Sequence, residues 1–355
     1  FQYEAPAFSF LANVAAVPLA TCAFTLAFLL IFLPYTVFHE AISWMIQGVL
    51  WISRQSYGML TIGHVPFLWV LLFYFMTGLW IWKKNGQNRH IRISLAYVIM
   101  IILIWIPMAR RKSLAFLDVG QGDCFVADTK SGAIIFDGGS SSEDQVGRYR
   151  ILPYMKYLGY QKIQIAVISH MDIDHYSGIK ELLEMGKIKY LGLPEIPKDE
   201  TMKKIIGIAK KRGTTIFYLS RGRQITTKDG SLKVLHPQKN SQMEKNAASL
   251  VMQGKILGYR VLLTGDVEKE GEEELLSEEL ERADILKAAH HGSKNSTSNE
   301  FLQKVQPKQT VISCGKQNRY GHPHLETIHR LQTYRTKIYR TDRSGAIIFF
   351  KRRDG

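Results

Sequence analysis

The sequence predicts a membrane α-helical segment followed by an α/β domain in which two sheets pack face to face with helices outside. Three observations carry that expectation. The first third of the 355-residue chain is a series of apolar runs with few charges, the composition of bilayer-embedded helices. Beyond Lys112, short apolar strands alternate with amphipathic helices, as in a layered α/β domain. Chemically active side chains then recur just past the ends of those strands, where loops line a common cleft. The boundary is placed between residues 1–112 and 113–355. Phe1 is not an initiator methionine and the chain opens inside an apolar stretch, so a longer protein is expected, with its N-terminal remainder as a partner.

Phe10 to Leu33 carries no charged residue and matches the roughly 20 residues a helix needs to cross a bilayer. Asn13 and Pro18 mark either a broken entry or polar positions that neighbouring helices satisfy. From Thr36 to Ile52, Phe38, Ile42, Met45, Ile46 and Val49 recur opposite Thr36, His39, Glu40, Ser43 and Gln47. That spacing predicts an amphipathic helix, lying in a membrane interface, lining a water-filled path or packed against its neighbours. Pro66–Trp82 and Ile93–Pro107 are further apolar runs, with Trp80, Trp82 and Trp105 at belt positions. The basic loop Lys83 to Arg92 is expected in the cytoplasm, which makes this a multi-pass cell-membrane protein with everything after residue 107 outside. Arg110, Arg111 and Lys112 pull the other way. Membrane lipid is thus an expected partner. The formal net charge of +15 favours polyanions, nucleic acid or an anionic membrane surface, without choosing between them. Cys22, Cys124 and Cys314 are too scattered for a disulfide framework or zinc ribbon and read as small core residues.

In the second segment, Leu114–Val119, Cys124–Thr129 and Ala133–Asp137 read as strands of an antiparallel meander, with Gly120-Gln-Gly-Asp123 and Ser131-Gly132 as turns. Strands are predicted again at Ile163–Ser169, Thr215–Leu219, Lys233–Leu235, Ser249–Gln253, Arg260–Thr264, Ile285–Ala289 and Thr310–Ser313. Helices are predicted at Gly178–Met185, Thr201–Arg212, Glu270–Leu280, Ser298–Val305 and Leu325–Tyr334.

The chemistry concentrates in His170-Met-Asp172-Ile-Asp174-His175, at the end of the strand beginning at Ile163. Two imidazoles and two carboxylates without a thiolate suit Zn²⁺ or Mn²⁺, and carboxylates packed this densely repel one another unless a cation compensates. The alternation aims His170 and Asp172 at one ion and Asp174 and His175 at a second. Asp118, Asp137, Asp266 and the pair His290-His291 fall past the ends of other strands. Asp266 is the natural carboxylate between two ions, and one of His290 and His291 completes the second ion's ligands. Lys287 either meets a phosphate or is a solvated strand-edge lysine.

His-x-Asp-x-Asp-His after a strand, Thr264-Gly-Asp266 and His290-His-Gly-Ser293 resemble the metallo-β-lactamase superfamily. More closely, Phe116-Leu-Asp-Val-Gly-Gln-Gly-Asp123, Asp137-Gly-Gly, Asn246-Ala-Ala-Ser249 and Asn318-Arg-Tyr-Gly-His322-Pro-His324 resemble the ComEC family of competence proteins. That resemblance implies an αββα metallo-β-lactamase-like sandwich behind the end of a competence membrane domain. It implies internalisation of DNA, single- or double-stranded at the protein's face, together with other competence DNA-uptake proteins. It also implies a metal-dependent nuclease that degrades the strand not imported. Many members of the wider superfamily have a histidine where this chain has Asp172, and another in the region of Asn246 to Ser249. An oxygen-rich site of this kind shifts preference toward Mn²⁺.

If two ions bind, a water between them is activated for in-line attack on a phosphodiester, with Asp174 orienting it. His291 or His322 then protonates the leaving oxygen, although His322-Pro323-His324 also reads as a helix start. Asn246, Ser249, Lys287, Ser293, Arg319 and Tyr320 are the expected substrate contacts, with Lys294 and Lys316 beside them and Tyr320 available for base stacking. Two rival classes stand: a transporter whose sandwich is catalytically silent and guides DNA, and a membrane-tethered hydrolase of another phosphodiester.

Overall fold

The computed structural model describes residues 4–6, 9–29, 36–54, 59–61, 63–64, 67–82, 94, 98, 111–243, 246–278 and 280–352. The chain divides into two compact units, residues 1–107 and 108–355.

In the first unit, strands β1 (Glu4–Pro6) and β2 (Met59–Thr61) pair antiparallel, and helices α1 (Ser9–Leu29), α2 (Thr36–Arg54) and α3 (Phe67–Trp82) follow the predicted runs. Pro18 does not break α1, which is continuous across it. Ile42, Met45 and Val49 of α2 are half-buried on one face, as the spacing predicted, but Ile46, placed on the same face, is exposed, as are Trp44 and Trp51, so the helix is less cleanly divided than expected. Among the described residues no helix is long and apolar enough to cross a membrane, so they do not support the predicted spans. The loop Lys83 to Arg92 and all but two residues of Ile93–Pro107 lie outside the described residues.

The second unit holds two seven-stranded sheets. In chain order, the first sheet contains β3 (Ser113–Phe116), β4 (Phe125–Thr129), β5 (Gly132–Phe136), β6 (Ile163–Val167), β7 (Ile188–Pro194) and β8 (Thr215–Leu219). The second contains β9 (Gln224–Thr227), β10 (Gly230–His236), β11 (Val251–Ile256), β12 (Tyr259–Leu263), β13 (Ile285–Lys287), β14 (Gln309–Ile312) and β15 (Lys337–Arg340). Strand β16 (Ile347–Phe350) leaves the second half of the chain and pairs antiparallel with β3, completing the first sheet.

Both faces of each sheet are covered, so central strands are buried throughout rather than alternating with solvent. Along β3, Leu114 and Phe116 point between the sheets toward Val261, Leu263 and Ile285, while Ala115 points outward against the helix side with Leu182 and Leu183. A third cluster, including Leu286, Ile312, Phe301 and Leu331, seals the second sheet under its own helices. The order is helix, sheet, sheet, helix, as the resemblance implied. Phe116 packs on Phe125 and Phe349, with ring centroids 5.0 and 6.2 Å away, at the centre of the layer between the sheets.

β5 to β8 run parallel, as do β12 to β15. Their C-terminal ends therefore open on one side, and the segments leaving β5, β6, β12 and β13 carry the predicted site residues there.

Candidate metal centre

The segment leaving β6 turns directly into helix Ile173–Glu184, with Asp172 as its N-cap residue and Asp174 in its first turn. Asp172 makes no capping hydrogen bond. Packing against this turn, residue 122 has φ +157°, and a Cβ there would lie 2.7 Å from the Asp174 carbonyl oxygen, so only glycine lets the 120–123 turn approach. The Asp123 N–H then donates to the Asp174 carbonyl at 3.0 Å.

Asp123, His175, Asp266 and His291 are all buried and offer ligand atoms within 4.8 Å of one another. His175 donates from Nδ1 to Asp137 Oδ2 at 2.9 Å and turns Nε2 toward Asp266 Oδ1 at 3.2 Å. His291 donates from Nδ1 to the Ser313 carbonyl at 2.9 Å, leaving Nε2 3.4 Å from Asp174 Oδ2 and 3.3 Å from Asp266 Oδ2. His170 shares its Nδ1 with Ser169 Oγ at 3.0 Å and places Nε2 3.6 Å from Asp172 Oδ2. The Nε2 atoms of His170, His175 and His291 are buried without a hydrogen-bond partner. Histidines tethered through Nδ1 to a carboxylate or carbonyl, with Nε2 facing carboxylates, form the arrangement in which imidazole binds a metal. The donor set fits a divalent cation.

The electrostatics agree. Burial pulls the His175 and His291 imidazoles down, but Asp266, with Asp137 beside His175 and Asp123 beside His291, outweighs it and lifts both well above the usual histidine range. Burial pushes the Asp266 carboxyl up, yet His175, His291 and Lys287 hold it well below its usual value. Protons on the imidazoles thus do in the metal-free protein what a cation does in the loaded one.

The sequence left His290 and His291 unresolved; the structure separates them. Both adopt left-handed backbone, φ 47° and 52°, a strained pair held between β13 and Gly292. The reversal sends His291 inward, while His290 is partly exposed and donates from Nδ1 to Glu268 at 2.8 Å.

Other predicted contacts divide. Lys287 is no phosphate contact: it is buried, its ammonium donates to the Gly265 carbonyl at 2.8 Å and pairs with Asp123 and with Asp266 Oδ1 at 3.4 Å. Burial lowers its pKa, but the two carboxylates outweigh that and raise it. Ser249 is buried and accepts from the Asp266 N–H at 3.3 Å, and Ser293 is buried with its carbonyl accepting from Thr327, so both are supports rather than substrate contacts. Asn246 is half-buried and lines a cavity of about 790 Å³ with Asp172, Glu268, Glu270 and Glu273. Lys294, Lys316, Arg319 and Tyr320 are exposed. Arg319 lies over the Tyr320 ring at 4.9 Å, and Tyr320 stacks on His322 with centroids 5.7 Å apart. His322 lies 5.5 Å from the His290 ring and 6.2 Å from that of His291. Burial first, then the neighbouring imidazoles, push its pKa down to about 4. Pro323 precedes His324, the N-cap of helix Leu325–Thr333, so it does not sit in the first helical turn.

Asp123 was missed as a site residue, having been read as a turn. Asp118, chosen instead, accepts from the Gly120 N–H at 3.2 Å and is itself the turn residue. One local signal was available: two glycines two residues apart, Gly120 and Gly122, let the following carboxylate come close to another backbone.

Two sheets with outer helices and this ligand cluster define a class. The chain belongs to the metallo-β-lactamase superfamily, whose family model matches residues 117–316. Within it, the chain is a member of the ComEC family of competence proteins. It is 34% identical to ComE operon protein 3 of Bacillus subtilis (strain 168), over 77% of this chain and 38% of that protein. It is 30% identical to Competence protein ComA of Neisseria gonorrhoeae, over 67% of this chain and 32% of that protein. It is 27% identical to Recombination protein 2 of Haemophilus influenzae, over 74% of this chain and 32% of that protein. The chain spans less than two fifths of the length of each of these three relatives.

Proposed function

We propose that this chain forms part of a DNA-internalisation apparatus of natural transformation, and that its sandwich is a divalent-metal-dependent DNase degrading the strand not imported. The observation that carries the reading is the trio of buried, unpartnered Nε2 atoms, those of His175 and His291 facing Asp266 and Asp174 and that of His170 facing Asp172. Asp174, His175, Asp266 and His291 would hold one ion, and His170 and Asp172, with Asp266 shared, a second, Mn²⁺ or Zn²⁺. Ions there supply Lewis-acid charge and a nucleophile at neutral pH.

The protein's own groups do the rest. Asp174 is placed to accept a proton from the attacking water, and its pKa is lowered: burial raises it, but His291 and His175 outweigh that. His322, neutral at pH 7, orients a phosphate or leaving oxygen through a hydrogen bond rather than delivering a proton as imidazolium. The cavity beside Asp172 has four carboxylates against the single cation Lys269, a net negative lining that disfavours a polyanion. DNA therefore approaches from the side of Lys294, Lys316 and Arg319, with Tyr320 offering a ring to an unpaired base.

The test is cleavage of single- and double-stranded DNA by the purified protein with Mn²⁺, Mg²⁺ or Zn²⁺. Cleavage that disappears in Asp174→Ala is expected, together with DNA binding that weakens steeply with salt. Absence of cleavage with all three ions would sink the nuclease. The proposal also places the sandwich outside the cytoplasmic membrane. Ser142→Cys, exposed and introduced into a protein lacking Cys22, Cys124 and Cys314, is then labelled by an impermeant maleimide in intact wall-less cells, and labelling only after lysis would refute it.

A further inference from the structure

We propose that Lys287, held by Asp123, is a built-in counter-cation of the metal centre: it carries part of the charge compensation that otherwise falls to the bound ion. The centre thereby keeps its shape without metal and binds metal more weakly than its carboxylates alone dictate. This rests on the metal reading above and adds a role for two residues that reading leaves unused.

Lys287 ends β13 and is only 4% exposed. An ammonium has three donors, and here they meet the Gly265 carbonyl, Asp123 and Asp266. No donor faces the opening. Asp123 is equally buried, and its carboxylate lies on the Nδ1 side of both histidines, 3.5 Å from His291 and 3.8 Å from His175. Asp123 thus flanks the ligand rings on their Nδ1 side, and Lys287 links it to Asp266, which faces their Nε2 atoms. Asp266 Oδ1, 3.4 Å from the ammonium, also lies 3.2 Å from His175 Nε2, so the ammonium sits one atom from the ligand set.

Two physical effects predict opposite outcomes when Lys287 is removed. If it only orients ligands, losing it weakens metal binding by about 10- to 100-fold, as for other groups that support metal ligands. If its charge dominates, losing it strengthens binding, because a unit charge a few ångströms from a divalent ion repels it even at an effective dielectric of about 20. Burial favours the second, since little water screens the ammonium.

The experiment is calorimetric titration of Mn²⁺ at fixed pH into the whole chain and three variants. Lys287→Met should bind Mn²⁺ about tenfold tighter or more, Asp123→Asn about tenfold weaker, and the double variant within about threefold of the wild type. Weaker binding by both single variants overturns the proposal in favour of simple orientation. Should Lys287→Met fold poorly without metal, thermal unfolding with and without Mn²⁺ decides: a larger Mn²⁺-induced rise in Tm than in the wild type supports the proposal, and an equal or smaller rise overturns it. Binding of neither Mn²⁺ nor, in a parallel titration, Zn²⁺ by the wild type or any variant rejects the metal reading itself, whereas wild-type binding with the wrong pattern rejects only the role of Lys287.

Discussion

At the N-terminal end of β13, Asp284 is buried beneath the Arg260 N–H at 2.9 Å, Lys308 at 2.9 Å and Arg352 at 3.5 Å. At the C-terminal end, three residues on, Lys287 and His291 join Asp123, Asp174 and Asp266. Each end of this short strand thus has buried acid beside it, a single carboxylate at one end and two, with the half-buried Asp174, at the other. At the first, arginine and lysine side chains reach in from solvent and close the charge balance. At the second, the cations are one lysine and imidazoles whose Nε2 atoms have no hydrogen-bond partner. Acidity alone does not mark a ligand site; the difference lies in the countercharge, exposed lysine and arginine chains at the first and buried imidazoles of metal-ligand type at the second.

The largest expected effect separates the two ends by function. Asp266→Asn should abolish Mn²⁺ binding and reduce DNA cleavage about a thousandfold or more, the scale of losing a group on which transition-state charge depends. Asp284→Asn should leave both intact, and loss of cleavage there would erase the distinction.

A second prediction separates them by stability. Burial pushes the Asp284 carboxyl up, but the Arg260 N–H, Lys308 and Arg352 outweigh it and hold it below its usual value of 3.8. A depressed folded-state pKa contributes stability that is present above pH 3.8 and lost as pH falls through the lower folded value. Asp284→Asn should cost about 1–2 kcal/mol at pH 7, modest because Lys308 and Arg352 are solvent-exposed. Urea unfolding should show the gap closing below that pH, and a gap independent of pH would contradict the ion-pair account.

The smallest effect lies within the metal end. His290→Ala, which removes a partly exposed ring bonded to Glu268, should change the Mn²⁺ dissociation constant less than about tenfold, while His291→Ala should cost far more. Equal losses would show that the outward ring is a ligand too.

Much of this was readable beforehand because strand ends and ligand types are local properties. His170 to His175, Asp266 and the His-His pair fall at strand ends on hydrophobic pattern alone. The missed elements have local explanations. Ile188–Pro194 contains Gly192 and Pro194, both loop signals, yet its Leu191 and Leu193 fill the core. Gln224–Thr227 and Lys337–Arg340 are polar edge strands, which hydrophobicity does not reveal. Val146 to Tyr157 bury Val146, Ile151 and Met155 through a π-turn that breaks the 3.6-residue period. The choice between His290 and His291 depends on positive φ values that no window of sequence contains, and for Asp123 the glycines at 120 and 122 hint at a close approach without naming the distant segment it meets.

The pairing of β16 with β3 brings the sandwich's two ends together: the Lys351 N–H donates to the Lys112 carbonyl at 2.7 Å, and Arg111 grips the Lys351 carbonyl at 2.9 Å. Chain enters and leaves at one spot, so the β-sandwich is topologically a cassette. Joining 351 to 112 by a few glycines and opening a surface loop should yield a circular permutant with the same metal pocket, because no strand would change its neighbours.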